Sequence, residues 1–155
     1  MKKLSILLVI VSLIAICFCC LWVRAITGYH EDMKQRCQRY AEDSAGWLSE
    51  YEEVKDINDE NFTGQYWGSV SRFYAFMDTL YSLSDSGSWN EALYKDCDVL
   101  YDHMVLAPEE VLSHMDEVLA AIELLGKDYT SPEARQAMNQ LAYSLQYDTW
   151  EAEQD

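Results

Sequence analysis

The chain has 155 residues, half of them hydrophobic, and a formal net charge of −16. Lys2, Lys3 and Arg24 lie in the N-terminal segment, so the remainder carries 8 basic against 27 acidic residues, or −19. That balance excludes nucleic acid and anionic headgroups as natural partners of the remainder and suits basic proteins or divalent cations, although the same charge also serves plain solubility.

The first element is Leu4 to Val23, twenty residues without a charge, preceded by Lys2 and Lys3 and closed by Arg24. As a helix it is about 30 Å long, the thickness of a bilayer's hydrocarbon core. Two readings stand. The run is an uncleaved single-pass anchor with Trp22 at the interface, or it is a secretory signal cut after Ala25, where Val23 and Ala25 supply the small or branched residues a peptidase needs. Its length exceeds the usual signal core and favours the anchor. Lipoprotein processing does not fit, because Cys17, Cys19 and Cys20 follow Ile16, Phe18 and Cys19 rather than a small residue. The short basic tail before the run argues for the C-terminal domain lying outside the cytoplasm, while Lys34, Arg36 and Arg39 beyond it pull the other way.

Residues 28–150 form the expected domain. Gly and Pro are scarce, at 6 and 2, and apolar positions recur at spacings of three and four, which predicts an all-α fold. Acidic residues are interleaved with Trp, Tyr, Leu and Met, unlike a disordered tail. A first helix is expected over Tyr29 to Val54, with Met33, Cys37, Tyr40, Ser44, Trp47, Tyr51 and Val54 in one seam. Gly28 either joints it softly to the apolar run or lies within one continuous helix. Lys55 to Asn61 reads as a loop. A second helix over Thr63 to Leu83 carries the stripe Tyr66, Val70, Phe73, Met77, Leu80 and a second one, Trp67, Tyr74, Tyr81; so wide an apolar face implies burial on two sides.

Ser84 to Ser88 reads as a turn, with Ser88 as the cap of a third helix over Trp89 to Leu106. Its inward residues are Trp89, Leu93, Cys97 (or Asp96 beside it), Leu100 and Met104. Pro108, followed by Glu109 and Glu110, suits the first turn of a fourth helix, whose stripe is Val111, Met115, Val118, Ile122 and Leu125 and whose end is Gly126. Ser131-Pro132-Glu133 opens a fifth helix with Ala134, Met138, Leu141 and Leu145 inward. Residues 151–155 form an acidic tail expected to fray. The sum is an N-terminal transmembrane helix followed by a four- or five-helix bundle, with no internal repeat or low-complexity segment evident.

Few residues carry chemistry. Cys37 and Cys97, the domain's two cysteines, fall on inward stripes; outside the cell they form a disulfide, otherwise two buried thiols. Closing that 60-residue loop would stabilise the fold by about 4 kcal/mol in the chain-entropy model. His103-Met104 and His114-Met115 repeat a dipeptide whose imidazole and thioether donors suit soft Cu(I), against the plainer reading of core methionines and exposed histidines. Glu110, His114 and Glu117 share one helical face, as do Asp98 and Asp102, but the Glu-x-x-His spacing of bundle di-metal sites is absent and a solvated charged face is the simpler reading. Asp56 to Glu60 starts like a calcium loop, but Asn61 stands where Gly is required and Trp67 where Glu is required. Asn61-Phe62-Thr63 is a glycosylation sequon.

The eleven tyrosines are the least usual feature; Tyr29, Tyr40 and Tyr51 line one side of the first helix and with Trp47 outline a groove for a peptide or glycan. No phosphate loop or nucleophile elbow occurs, so no catalytic site and no cofactor are expected. The expectation is an interaction module in the cell membrane, an accessory subunit, sensor input or immunity-type protein with a protein partner, and a basic one suits the charge. The alternatives are an envelope metal-handling or hydrolytic protein using His103 and His114, and a secreted helical effector released after Ala25.

Overall fold

The described residues form six helices and no strand: α1 (Lys2–Ser49), α2 (Glu60–Ser82), α3 (Glu91–Leu106), α4 (Pro108–Ser113), α5 (Met115–Asp128) and α6 (Pro132–Ala152). The structure is a computed structural model that describes the backbone of residues 2–50, 60–84 and 90–152 and the side chains of residues 8, 10–50, 63–84 and 90–146. Tyr51, Val54, most of the expected loop, the calcium-like stretch from Asp56 to Asp59, the turn residues 85–88, Trp89 and the last three residues lie outside that description. The chain divides into two compact units, Met1–Met33 and Lys34–Asp155.

In the N-terminal unit the helical assignment runs through Gly28. Every described side chain from Leu8 to Val23 is exposed, with Phe18 at 71% and Trp22 at 70%. Thr27 donates its hydroxyl to the Val23 carbonyl at 3.0 Å, so the polar group just past the run is satisfied within the helix itself. This is one helix long and apolar enough to cross a membrane by length and composition.

The second unit is a helical bundle. Residues 34–49 of α1 bury Cys37, Ala41, Ser44, Ala45 and Leu48. The expected seam is therefore correct at Cys37 and Ser44 and rotated elsewhere. Tyr40 is half-buried and Trp47 is 39% exposed, while two alanines take the inward places. The helix stops at Ser49, short of Val54. The reason for the rotation is close approach. Ser44 Oγ donates to the Ser69 carbonyl of α2 (3.1 Å), Ser69 Oγ donates to the Ser44 carbonyl (2.9 Å), and the two hydroxyls are 2.8 Å apart. Both serines are fully buried. Reciprocal bonds of this kind need small neighbours, which Ala41 and Ala45 provide. Trp47 lays its ring over Gly68, where a Cβ would come within 2.5 Å of it.

α2 begins at Glu60, earlier than expected, and buries the predicted stripe Tyr66, Val70, Phe73, Met77 and Leu80. The second buried row is Ser69, Phe76 and Leu83, not Trp67, Tyr74 and Tyr81. Phe73 and Phe76 stack at 5.8 Å, and Phe76 meets Tyr129 edge-on at 6.3 Å. Tyr66 reaches across to donate its hydroxyl to the Met104 carbonyl at 2.9 Å. α3 starts one residue after Asn90, whose side chain accepts from the Leu93 amide; Asn90 is the cap in place of Ser88. It buries Leu93, Cys97, Leu100 and Met104 as expected.

The expected fourth helix is two helices. The chain breaks at His114 (φ −107°, ψ 21°), and Val118 N–H restarts the ladder on the His114 carbonyl. Val111 and Leu112 are buried before the break, and Met115, Val118 and Ile122 after it. Gly126 lies inside α5 rather than ending it. A Cβ there would stand 2.7 Å from Glu42 Cγ and 3.0 Å from the Glu42 backbone nitrogen, so this glycine is a helix–helix contact point. The helix ends instead at Asp128, whose carboxylate accepts from the Thr130 amide and hydroxyl. Ser131 caps α6 by accepting from the Ala134 amide, and Ala134, Met138, Leu141 and Leu145 are buried as predicted. α6 packs on α3 and α5, and α3 on α2.

If the serine pair ties α1 to α2, Ser44→Ala and Ser69→Ala each lower stability by about 1 kcal/mol, and the double variant loses less than the two singles combined by about 0.5 kcal/mol or more. Chemical denaturation of the four proteins measures that difference; strict additivity would refute the coupling.

A tyrosine and aspartate face on α2 and α3

Because Ser69, Phe76 and Leu83 turn inward, the stripe two positions before them on each turn faces out. Trp67 is 42% exposed, Tyr74 55% and Tyr81 60%. α3 runs antiparallel beside it and presents half-buried Tyr94 and Tyr101. The four tyrosines meet in two pairs. Tyr74 and Tyr101 lie at 5.5 Å between ring centroids with a 41° tilt, and Tyr81 and Tyr94 at 5.9 Å with a 51° tilt.

The similarity of the two pairs has a cause in the sequence. Residues 74–81 read Tyr-Ala-Phe-Met-Asp-Thr-Leu-Tyr and residues 94–101 read Tyr-Lys-Asp-Cys-Asp-Val-Leu-Tyr. Both have Tyr, then Asp four positions on, then Leu-Tyr, offset by twenty residues. In each segment the leucine (Leu80, Leu100) is fully buried and the tyrosines look outward. Laid antiparallel, two copies of one pattern give a local two-fold arrangement, with the first tyrosine of each against the last of the other. The i to i+4 step advances about 40° around a helix, so exposed Asp78 and Asp98 stand close beside the tyrosines of their own helices. Their charges act on this aromatic strip: the Tyr94 phenol is held above its ordinary range first by partial burial, then by Asp98, with Tyr81, Tyr74 and Asp78 adding to the rise.

This short repeat is the internal regularity that the sequence reading missed. Its signal is only eight residues long and is hidden by the turn between the copies. Apolar spacing alone predicts Tyr74 and Tyr81 in the core and groups Asp98 with Asp102.

The residues singled out from sequence lie elsewhere. Met104 and Met115 are buried. His103 Nδ1 is 2.8 Å from the Val99 carbonyl and its Nε2 is 3.7 Å from Glu110, while His114 Nδ1 is 2.9 Å from Glu117. His103 thus faces Glu110 across the α3–α4 turn, and His114 faces Glu117 at the start of α5. Among the described residues no group of three His, Cys, Asp or Glu side chains is placed to hold a metal ion. The helix break at His114 divides the expected Glu110, His114, Glu117 face.

Cys37 and Cys97 are both buried and carried as free thiols, and Cys37 S–H points at the Phe76 carbonyl 3.8 Å away. Burial raises both thiol pKa values, and the two are near enough that a charge on Cys37 raises Cys97 further. Of the tyrosine row on the first helix, Tyr51 is outside the described residues, and Trp47 is engaged with Gly68.

No family model matches this sequence, and no curated protein or solved structure shows a significant match.

The electrostatic reading of the face has a direct check. Asp98→Asn removes a negative charge that opposes the phenolate, so Tyr94 should titrate at lower pH, with the burial contribution remaining. Ring-carbon NMR of labelled tyrosine follows it; an unchanged Tyr94 titration would show that Asp98 does not act on the strip.

Proposed function

We propose that this chain is a single-pass membrane protein whose acidic helical domain lies outside the cytoplasm and works by binding another protein. The observation that carries the reading is the row of apolar side chains from Leu8 to Val23, all exposed where described. Apolar surface of that length costs about 25 cal/mol per Å² to leave in water, and a bilayer removes that cost. Lys2 and Lys3 before the row, and Trp22 and Arg24 at its far end, suit the two interfaces.

The domain's character supports the second half of the proposal. It combines a net charge of −19 beyond Arg24 with the outward aromatic strip on α2 and α3, a combination suited to a protein partner rather than to lipid or nucleic acid. Outside the cytoplasm, Cys37 and Cys97 can exchange with a protein disulfide donor before the core closes, and the resulting bridge would join α1 to α3.

A second reading follows from Val23-Arg24-Ala25: cleavage after Ala25 releases the same domain as a soluble effector. Cell fractionation with intact-mass measurement separates the two. The anchored reading expects full-length mass in the membrane fraction; a product beginning at Ile26 in the medium would replace it with the secreted one.

A further inference from the structure

We propose that the strip formed by Tyr74, Tyr81, Tyr94 and Tyr101 between Asp78 and Asp98 is the docking surface, and that its occupant is an arginine- or lysine-bearing segment of the partner protein. This rests on the interaction-module reading above and names the chemistry of that partner.

Each half of the strip offers a cation a pair of rings and one aspartate, with Lys95 on α3 already held by Glu91 at 2.9 Å. Tyr74 with Tyr101, and Tyr81 with Tyr94, present tilted rings at 5.5 and 5.9 Å. A guanidinium or ammonium group is attracted to the ring faces, and a carboxylate on each helix supplies the ionic partner. Arginine suits both roles at once, since its planar group stacks on a ring while its edge bonds a carboxylate. Tyrosine adds contact area at small entropic cost because it has few rotatable bonds.

The charge pattern selects among occupants. A second copy of this chain would bring its own Asp78 and Asp98 against the same residues in a domain already at −19 beyond Arg24. An anionic lipid surface is repelled for the same reason. A neutral apolar segment would bury Asp78 and Asp98 without a counter-charge, which is costly. A basic segment meets neither objection. The local two-fold adds a further feature: two ring pairs accept two cationic side chains of one segment.

The test uses the full-length chain in non-ionic detergent, with ring-labelled tyrosine assigned by single Tyr→Phe variants and titrated with an oligo-arginine peptide. The expected result is shifts concentrated on Tyr74, Tyr81, Tyr94 and Tyr101, with affinity about tenfold weaker in Asp78→Asn/Asp98→Asn, the size that two exposed ion pairs supply together. The control is Asp116→Asn/Glu117→Gln, which removes the same charge from exposed positions on α5 and should leave affinity within about twofold. Shifts spread over all the tyrosines, or equal weakening by the two double variants, would overturn the proposal by showing general attraction to an acidic protein. No binding at all would overturn it as well. Such a failure in a chain that still fractionates with membranes leaves the anchored-module reading standing. Loss of the membrane fraction would count against that reading alone.

Discussion

The geometry of the domain follows from one close contact, the reciprocal hydrogen bonds between Ser44 and Ser69. Two buried hydroxyls that each donate to the opposite helix's carbonyl leave little freedom in how α2 is turned about its axis. With Ser69 held against α1, the residues seven and fourteen positions on, Phe76 and Leu83, fall inward as well. The stripe Trp67, Tyr74 and Tyr81 is thereby carried to the outside, where α3 brings Tyr94 and Tyr101 alongside. A single pair of serines so connects core packing to the composition of the surface. The same demand for close approach recurs where Gly126 meets Glu42 and where Gly68 receives Trp47.

The outward strip is built economically from one short pattern used twice. Tyr at the first position, Asp at the fifth and Leu-Tyr at the end give each helix a buried leucine, two outward rings and a carboxylate beside them. Antiparallel packing of α2 and α3 turns the translation of twenty residues in sequence into a two-fold in space. Helix pairs with tyrosines on their shared seam are common enough as rims of a core. Here Asp78 and Asp98 lie beside the rings, while Lys95 on the same helix as Asp98 is held by Glu91 at 2.9 Å; that balance favours a cationic ligand.

Most helices were legible in the sequence because their cores are large apolar side chains at regular spacing. The first stripe of α2 and the described stripe residues of α3, α5 and α6 are inward in the structure. What escaped was carried by small or polar residues. Ala41 and Ala45 give a weaker hydrophobic signal than Tyr40 and Trp47, so the seam of α1 was placed one position off. A glycine near the end of a stripe usually marks a C-terminus, but Gly126 serves a neighbouring backbone instead. Ser88 and Asn90 are equally good caps on composition, and the choice depends on where α3 meets the core. His114 carries no breaking signal of its own, so the interruption between α4 and α5 was not legible. The aromatic face was missed for a related reason: hydrophobicity alone assigns every tyrosine to the inside, and only the rotation of α2 distinguishes Tyr74 from Phe73.

An apolar run that needs a bilayer, joined to an acidic domain with an aromatic strip turned outward, is the centre of this account. The measurement that tests it most directly is labelling of Tyr81→Cys in intact cells with a membrane-impermeant maleimide, read against the parent chain and against Leu83→Cys, which points into the core. The account predicts strong labelling at position 81 without lysis and little above the parent at position 83. Labelling at 81 only after the cells are opened would place the domain inside the cytoplasm, and equal labelling at both positions would contradict the rotation of α2 on which the face depends.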